Sequence, residues 1–377
     1  MIKKLLISIC IVLFVGWGVY TIVKKNPPIE TKFVPPLRSP SFGGQATEDE
    51  QNVFDKSVIQ LKEPGEYALL ENPRHIYQSF NNCGPATLSM MLSWYGQDVS
   101  QKELGDKMRP FQNPEGDNDD KTIFTYEFVD WAKKYGFESI GRINGDIELL
   151  KTFTTNGIPV VVKTWLKVGE DIGHFRIVRG YDESKQIIIQ DDSYDGPNKK
   201  ISYFDFLSMW QPFNYNYMII FTKEQKDLVE AIISSEIDEN VAWKNALDRA
   251  KMEGELSPEN VYPPFNMSTA YYHLGDYQNS ASAFEKVESR LPRRMLWYQI
   301  EPIQAYKELG NYERVFQITD NILNSGNRAY SELYQIRGEI FLSQGNKEKA
   351  REQFELAILY NENFEPAKKS LESLLNN

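Results

Sequence analysis

Gln78-Ser79-Phe80-Asn81-Asn82-Cys83-Gly84-Pro85-Ala86-Thr87-Leu88 sets a single cysteine where a turn passes into a helix. A helix N-terminus carries roughly half a positive charge, which favours a thiolate over a thiol. Pro85 suits the first turn, because the N–H it lacks would have no intrahelical partner there. From Ala86 onward, Leu88, Met91, Leu92 and Tyr95 recur at helical spacing, so the predicted helix buries one face beneath the cysteine. Gln78, a few residues upstream, is an amide donor within reach of the same spot. Cys83 and Gln78 together read as an activated nucleophile with half an oxyanion hole.

A cysteine nucleophile needs a base, and the chain has three histidines. His75 precedes the turn and His273 lies in a helical repeat; both read as structural or exposed. His174 belongs to Gly173-His174-Phe175-Arg176-Ile177-Val178-Arg179-Gly180-Tyr181-Asp182, a predicted strand ending in a turn. Ile187 to Gln190 reads as the return strand, running into Asp191-Asp192-Ser193-Tyr194. An antiparallel hairpin then sets His174 beside an aspartate that fixes the imidazole tautomer and stabilises the imidazolium. A two-residue turn puts His174 opposite Ser193, with Asp191 as its same-face diagonal neighbour. One more residue in the loop puts Asp192 opposite instead. The register, and with it the choice between Asp191 and Asp192, stays open at this level.

The order Gln, Cys-Gly-Pro helix, Gly-His strand and Asp after the next strand resembles a papain-like cysteine peptidase. More narrowly it is similar to cysteine peptidase family 39, the bacteriocin-processing peptidases and their stand-alone relatives. The resemblance covers about Pro64 to Thr222, with Asn-Asn-Cys-Gly-Pro-Ala-Thr its most specific part. It implies an α+β fold with a helical and a sheet subdomain flanking a cleft. It also implies Cys83 as nucleophile, His174 as base, and Gln78 with the Cys83 backbone N–H as oxyanion hole. Asp192 is the implied third member, because Asp192-Ser193-Tyr194 echoes the family's Asn/Asp-Ser/Pro-aromatic run. Gln78 stands five residues before Cys83, where many members have six. The implied activity is hydrolysis of a peptide bond in a peptide or protein substrate, with no cofactor. Alternatives with the same residues are a thiol amidase or acyl transferase acting on cell-wall peptides, and a peptide-binding scaffold without turnover.

The N-terminal end has another character. Lys3 and Lys4 precede an uncharged run from Leu5 to Val23, closed by Lys24 and Lys25. About twenty apolar residues cross a bilayer core as a helix, so residues 1–25 are expected to be an uncleaved transmembrane anchor. A short basic N-terminus favours a single-pass topology with the body of the chain outside the cytoplasm. Residues 26–63, with Pro27, Pro28, Pro35, Pro36, Pro40 and Gly43-Gly44, read as an extended linker. Within 64–222, the acidic stretch Asn113 to Asp120 lacks EF-hand spacing and reads as a solvated loop, so no metal is expected.

Residues 223–377 carry a repeat. Leu274-Gly275-Asp276-Tyr277 returns as Leu309-Gly310-Asn311-Tyr312 and Gln344-Gly345-Asn346-Lys347, at a spacing of 35 residues. Ala270-Tyr271 matches Ala305-Tyr306, and Phe284 is echoed at Phe354. This resembles the tetratricopeptide (TPR) repeat and implies an all-α solenoid of helix pairs, whose concave face offers a surface for a peptide or protein partner; a spacer or domain-stabilising role is the alternative. Ala242 to Ala250 reads as an earlier helix of the array, and Pro366 to Leu375 as its cap. A net charge of −11 with scattered Lys and Arg argues against a nucleic-acid partner. The pairs Lys199-Lys200 and Arg293-Arg294 read as surface charges. Cys10 and Cys83 are the two cysteines, one in the apolar run and one in the motif, so no structural disulfide is expected.

Overall fold

The computed structural model describes residues 59–72, 74–112 and 122–376. Three helices precede all but the first strand of the sheet: α1 (Cys83–Trp94), α2 (Gln101–Met108) and α3 (Thr125–Lys134). Ser100 caps α2 by accepting from the Glu103 N–H, and Glu127 returns a bond to the Phe124 N–H at the head of α3. The acidic stretch expected between α2 and α3 lies outside the described residues.

A seven-stranded antiparallel sheet follows, built from β1 (Tyr67–Leu69), β2 (Glu138–Arg142), β3 (Val160–Trp165), β4 (Gly173–Asp182), β5 (Ile187–Asp192), β6 (Gly196–Ser202) and β7 (Tyr217–Phe221). Their order is β2-β7-β3-β4-β5-β6, with β1 pairing the far half of β4. The β-branched run Val160-Val161-Val162 and the strand Tyr217–Phe221 are wholly buried, as central strands require. α1 packs its apolar face on this sheet: Leu88, Met91 and Leu92 share a core cluster with Phe175, Ile177, Met218 and Ile220. The helix that bears the cysteine and the strand that bears the histidine are therefore held by one packed core. α4 (Ile147–Thr155) and α5 (Tyr203–Trp210) complete this part of the chain.

The remainder is helical: α6 (Lys226–Ile233), α7 (Glu239–Leu256), α8 (Tyr262–His273), α9 (Tyr277–Glu285), the one-turn α10 (Met295–Tyr298), α11 (Glu301–Glu308), α12 (Tyr312–Asn324), α13 (Ser331–Ser343), α14 (Lys347–Tyr360) and α15 (Glu365–Leu375). The pairs α8–α9, α11–α12 and α13–α14 each turn at one of the repeated glycines. Gly275, Gly310 and Gly345 have φ of +78°, +71° and +77°, a left-handed conformation that side-chain-bearing residues rarely adopt. The residue after each glycine caps the next helix, Asp276, Asn311 and Asn346 all accepting from the N–H three residues on. The 35-residue period is thus a repeated turn-and-cap device.

Among the described residues no helix is long and apolar enough to cross a membrane. The expected anchor over residues 1–25 lies outside the described residues, as does most of the expected linker.

Candidate active site

α1 begins at Cys83 itself, and its first backbone bond runs from the Ala86 N–H to the Asn82 carbonyl at 2.9 Å. Since Pro85 has no N–H, the Cys83 and Gly84 N–H groups are the first-turn donors without an intrahelical acceptor. The preceding turn is tightly fixed. Asn82 Nδ2 donates to Ser79 Oγ at 2.9 Å, and Asn82 Oδ1 accepts from Arg109 at 2.6 Å. A Cβ on Gly84 would stand 2.8 Å from Ile123 Cδ1 and 3.5 Å from the Phe175 ring. Glycine at this position lets the helix start lie directly on β4.

His174 stands on β4, opposite Thr164 of β3. Its Nε2 is 2.9 Å from Asp192 Oδ1, and its ring also hydrogen-bonds the Cys83 thiol. With Nε2 engaged by the carboxylate, Nδ1 is the nitrogen that faces the sulfur. Asp192 Oδ1 accepts further from the Tyr194 and Asp195 N–H groups at 2.7 and 3.0 Å. Its Oδ2 lies 2.8 Å from Arg176 Nε, an ion pair directly across the β4–β5 ladder. Arg176 is in turn tied to the end of β3 through Thr164 Oγ1 and the Trp165 carbonyl. His174, Arg176 and Asp192 are each at most 2% exposed.

Neither short-turn register is adopted. Four residues, Glu183 to Gln186, join β4 to β5, and pairing near the turn sets Gly180 against Ile189. Beyond it Val178 pairs Gln190, so Arg179 is an inserted residue, a β-bulge. A shift of one residue exchanges the faces of a strand. Without the bulge, Asp191 and Ser193 would share a face with His174. With it, His174 falls across from Tyr194 and Asp192 becomes its same-face diagonal neighbour.

Asp191 belongs to a separate arrangement. It is fully buried and pairs with the bulged Arg179 at 2.6 Å, while accepting from the Asn198 N–H at 3.0 Å and from Asn72. Its partners bind the β5–β6 hairpin to the segment after β1. His75 is likewise structural, its ring bonded to the Asp192 carbonyl at 3.0 Å. His273 stacks on Trp243 at 3.9 Å within the helical part.

Gln78 joins Cys83 and His174 in lining one cleft of about 350 Å³. Its N–H donates to the Ser193 carbonyl at 2.8 Å, and its Oε1 accepts from the Ser193 hydroxyl at 2.8 Å. With Oε1 occupied, the amide donor Nε2 is the end left for the cleft. The sequence gives Ser193 no role of its own; its place after Asp192 in the Asp-Ser-Tyr run is the signal that points to it.

The electrostatics couple these groups. Burial pushes the Cys83 thiol up, yet the hydrogen bond and charge of His174, a Phe175 backbone bond and the Arg109 charge hold it below its ordinary value. Burial pushes His174 down, but its hydrogen bonds to Asp192 and Cys83 hold it above its ordinary value, against the charge of Arg176. For Asp192 burial acts upward and is outweighed by His174 and Arg176, which keep the carboxyl well below the usual carboxylate range. The arrangement favours a thiolate–imidazolium pair backed by a carboxylate. Among the described residues no cluster of His, Cys, Asp and Glu has the make-up of a metal site.

Arg294 corrects a reading made from sequence. It is not an ordinary surface charge: its N–H and guanidinium both bond Asp171, at 3.1 and 2.7 Å, and it lines the cleft with Trp297 and Tyr298.

Residues 66–218 match the Peptidase_C39 like family. Residues 331–364 match the tetratricopeptide repeat. Among solved structures, the chain is similar to a putative C39-like peptidase from Bacillus anthracis, at 18% identity over 42% of this chain and 99% of the other, with a TM-score of 0.36. It is also similar to the peptidase domain of Streptococcus ComA, a bi-functional ABC transporter involved in a quorum-sensing pathway. That match has 23% identity over 39% of this chain and 97% of the other, with a TM-score of 0.31. The helical part is similar to a thermophilic TPR protein of Thermus thermophilus, at 16% identity over 37% of this chain and 77% of the other, with a TM-score of 0.30. The chain thus carries an α+β C39-like peptidase domain followed by a helical TPR-like region.

Proposed function

We propose that this chain is a cysteine peptidase. The observation that carries the reading is a helix-borne thiol hydrogen-bonded to an imidazole whose far nitrogen is held 2.9 Å from a buried carboxylate, all at the wall of an open cleft. The Cys83 thiolate attacks the scissile carbonyl carbon, and the electron pair of the C=O moves to oxygen. Gln78 Nε2 and the Cys83 N–H donate to that oxyanion. The imidazolium of His174 gives its Nδ1 proton to the leaving amine as the C–N bond breaks, leaving a thioester. His174 then takes a proton from water, the hydroxide attacks the thioester, and Cys83 departs as thiolate. Asp192 fixes the tautomer and supports the imidazolium through both steps.

The repeats support a second role, engagement of a protein partner or of the substrate protein itself. The apolar run from Leu5 to Val23 supports a single-pass membrane anchor that presents the catalytic part outside the cytoplasm.

The test is incubation of the purified full-length chain, and of its Cys83→Ala variant, with a synthetic peptide library read by mass spectrometry. Cleavage by the wild type that falls more than about a thousandfold in the variant is expected. Peptides left intact by the wild type, or cut equally by both, would refute the assignment. Acyl transfer to an added amine in place of hydrolysis would identify a transferase.

A further inference from the structure

The segment Arg294–Tyr298 comes from the helical region, yet it stands at the cleft beside His174. Several independent contacts fix it there. Tyr298 packs against both Trp165 and Phe213, at ring distances of 5.7 and 5.9 Å, and its hydroxyl bonds the Gly173 backbone. A Cβ on Gly173 would come within 2.7 Å of the Tyr298 ring, so the residue before His174 has to be glycine for this contact to form. The buried Lys163 ammonium lies 5.3 Å from the Tyr298 ring and 5.4 Å from that of Phe175, a cation shared between the helical region and the sheet. Gln299 donates to the Pro212 carbonyl at 2.7 Å, and the Trp165 indole donates to the Tyr262 hydroxyl at 3.1 Å. One hydrophobic cluster runs without a break from Trp165 and Phe213 through Trp297 to Tyr330 and Leu333. A flexible tether to a separate binding module would show none of this.

We infer that the helical region supplies one wall of the substrate cleft, so that Trp297 and Tyr298, with Ile172 of the peptidase part facing the same space, form a subsite beside His174 for an apolar side chain of the substrate. The inference rests on the peptidase reading and specifies its substrate class: a peptide with an aromatic or long aliphatic residue at one fixed position near the scissile bond. The chemistry is that of the lining. Ile172 is exposed and lines the cleft; Trp297 also lines it, its indole mostly buried at 4% exposure with the Arg294 guanidinium 5.4 Å from the ring. An aliphatic or aromatic side chain entering there exchanges water for apolar and aromatic surface. Specificity is then a joint property of two regions of one chain.

The test uses the full-length chain and a synthetic peptide library in which each position is varied through all residue types, with cleavage sites read by mass spectrometry. The wild type is compared with Trp297→Ala, Trp297→Phe and Arg294→Gln. The wild type is expected to select aromatic and long aliphatic residues at one position. Trp297→Ala should lose at least about tenfold in kcat/KM on those peptides and less than about threefold on peptides with glycine there, and Trp297→Phe should fall between. If Trp297→Ala does not fold, a change of preference at that same position in Trp297→Phe or Arg294→Gln carries the inference, and unchanged preference in both overturns it. A wild type without preference, or variants that slow every peptide equally, would also overturn it while leaving the peptidase reading intact. A wild type that cuts no peptide would instead overturn the peptidase reading.

Discussion

The Ser193 hydroxyl donates a 2.8 Å hydrogen bond to Gln78 Oε1, so the residue beside the carboxylate bonded to His174 also orients the amide of the proposed oxyanion hole. Gln78 Nε2 is useful only if Oε1 is kept out of the cleft, and Ser193 does this. Ser193→Ala is expected to lower kcat about ten- to a hundredfold with little change in KM, because the amide is then free to rotate. Gln78→Ala should cost more, about 10²- to 10³-fold. The double variant should be no slower than Gln78→Ala alone, since both act through one donor. Steady-state kinetics of the three variants checks this; additive losses would mean that Ser193 acts elsewhere.

The two adjacent aspartates should separate in their phenotypes. Asp192→Ala removes the acceptor for His174 Nε2 and is expected to cost at least about a hundredfold in kcat/KM. Asp191→Ala leaves the buried Arg179 without its carboxylate, which costs about 3–5 kcal/mol of stability. The fraction of Asp191→Ala that remains folded should keep kcat within about threefold. Denaturation midpoints and kinetics on both variants decide it, and the reverse pattern would exchange their roles.

Gly84→Ala probes the seating of α1 on β4. The added methyl meets Ile123 Cδ1, the mobile end of a side chain, so the stability loss should be modest, about 1–2 kcal/mol. Any relief that moves the helix start also moves Cys83 from His174, so activity should fall by more than about tenfold. Urea midpoints with peptide cleavage rates test the pair of outcomes. A large stability loss with full residual activity would count against the helix start as the positioning element.

Much of this is legible in the chain. The Cys-Gly-Pro turn, the Ser100 cap and the repeated glycines are local signals that each demand one backbone conformation, and α1, α2 and the helix pairs follow them. The choice between Asp191 and Asp192 is not legible from turn length, because the bulge at Arg179, inside the strand and away from the turn, decides it. Gly180 is the available hint, since glycine inside a strand marks a bulge or a close backbone approach. A Cβ there would stand 2.6 Å from the Ala68 carbonyl, so the glycine serves β1 beside the bulge. The placement of Arg294 to Tyr298 at the cleft is also hidden. The repeat pattern specifies how helix pairs stack on each other, and carries no information on which non-repeat turn meets the sheet. Gly173 has to lack a Cβ for Tyr298 to pack there, and Tyr298 comes later in the chain than two repeat helices.

The measurement that tests the account most directly is the pH dependence of iodoacetamide alkylation, followed on the Cys83-containing peptide by mass spectrometry. Alkylation follows the thiolate fraction, and His174 is the chief cause that lowers the thiol. In the wild type the rate should therefore rise with a midpoint below the ordinary thiol value of about 8.5. In His174→Ala the hydrogen bond and charge are gone while burial still pushes the thiol up, so the midpoint should move to the ordinary value or above it. A wild-type midpoint near the ordinary value, or one that His174→Ala leaves unmoved, would contradict the thiolate–imidazolium pair on which the proposed peptidase mechanism rests.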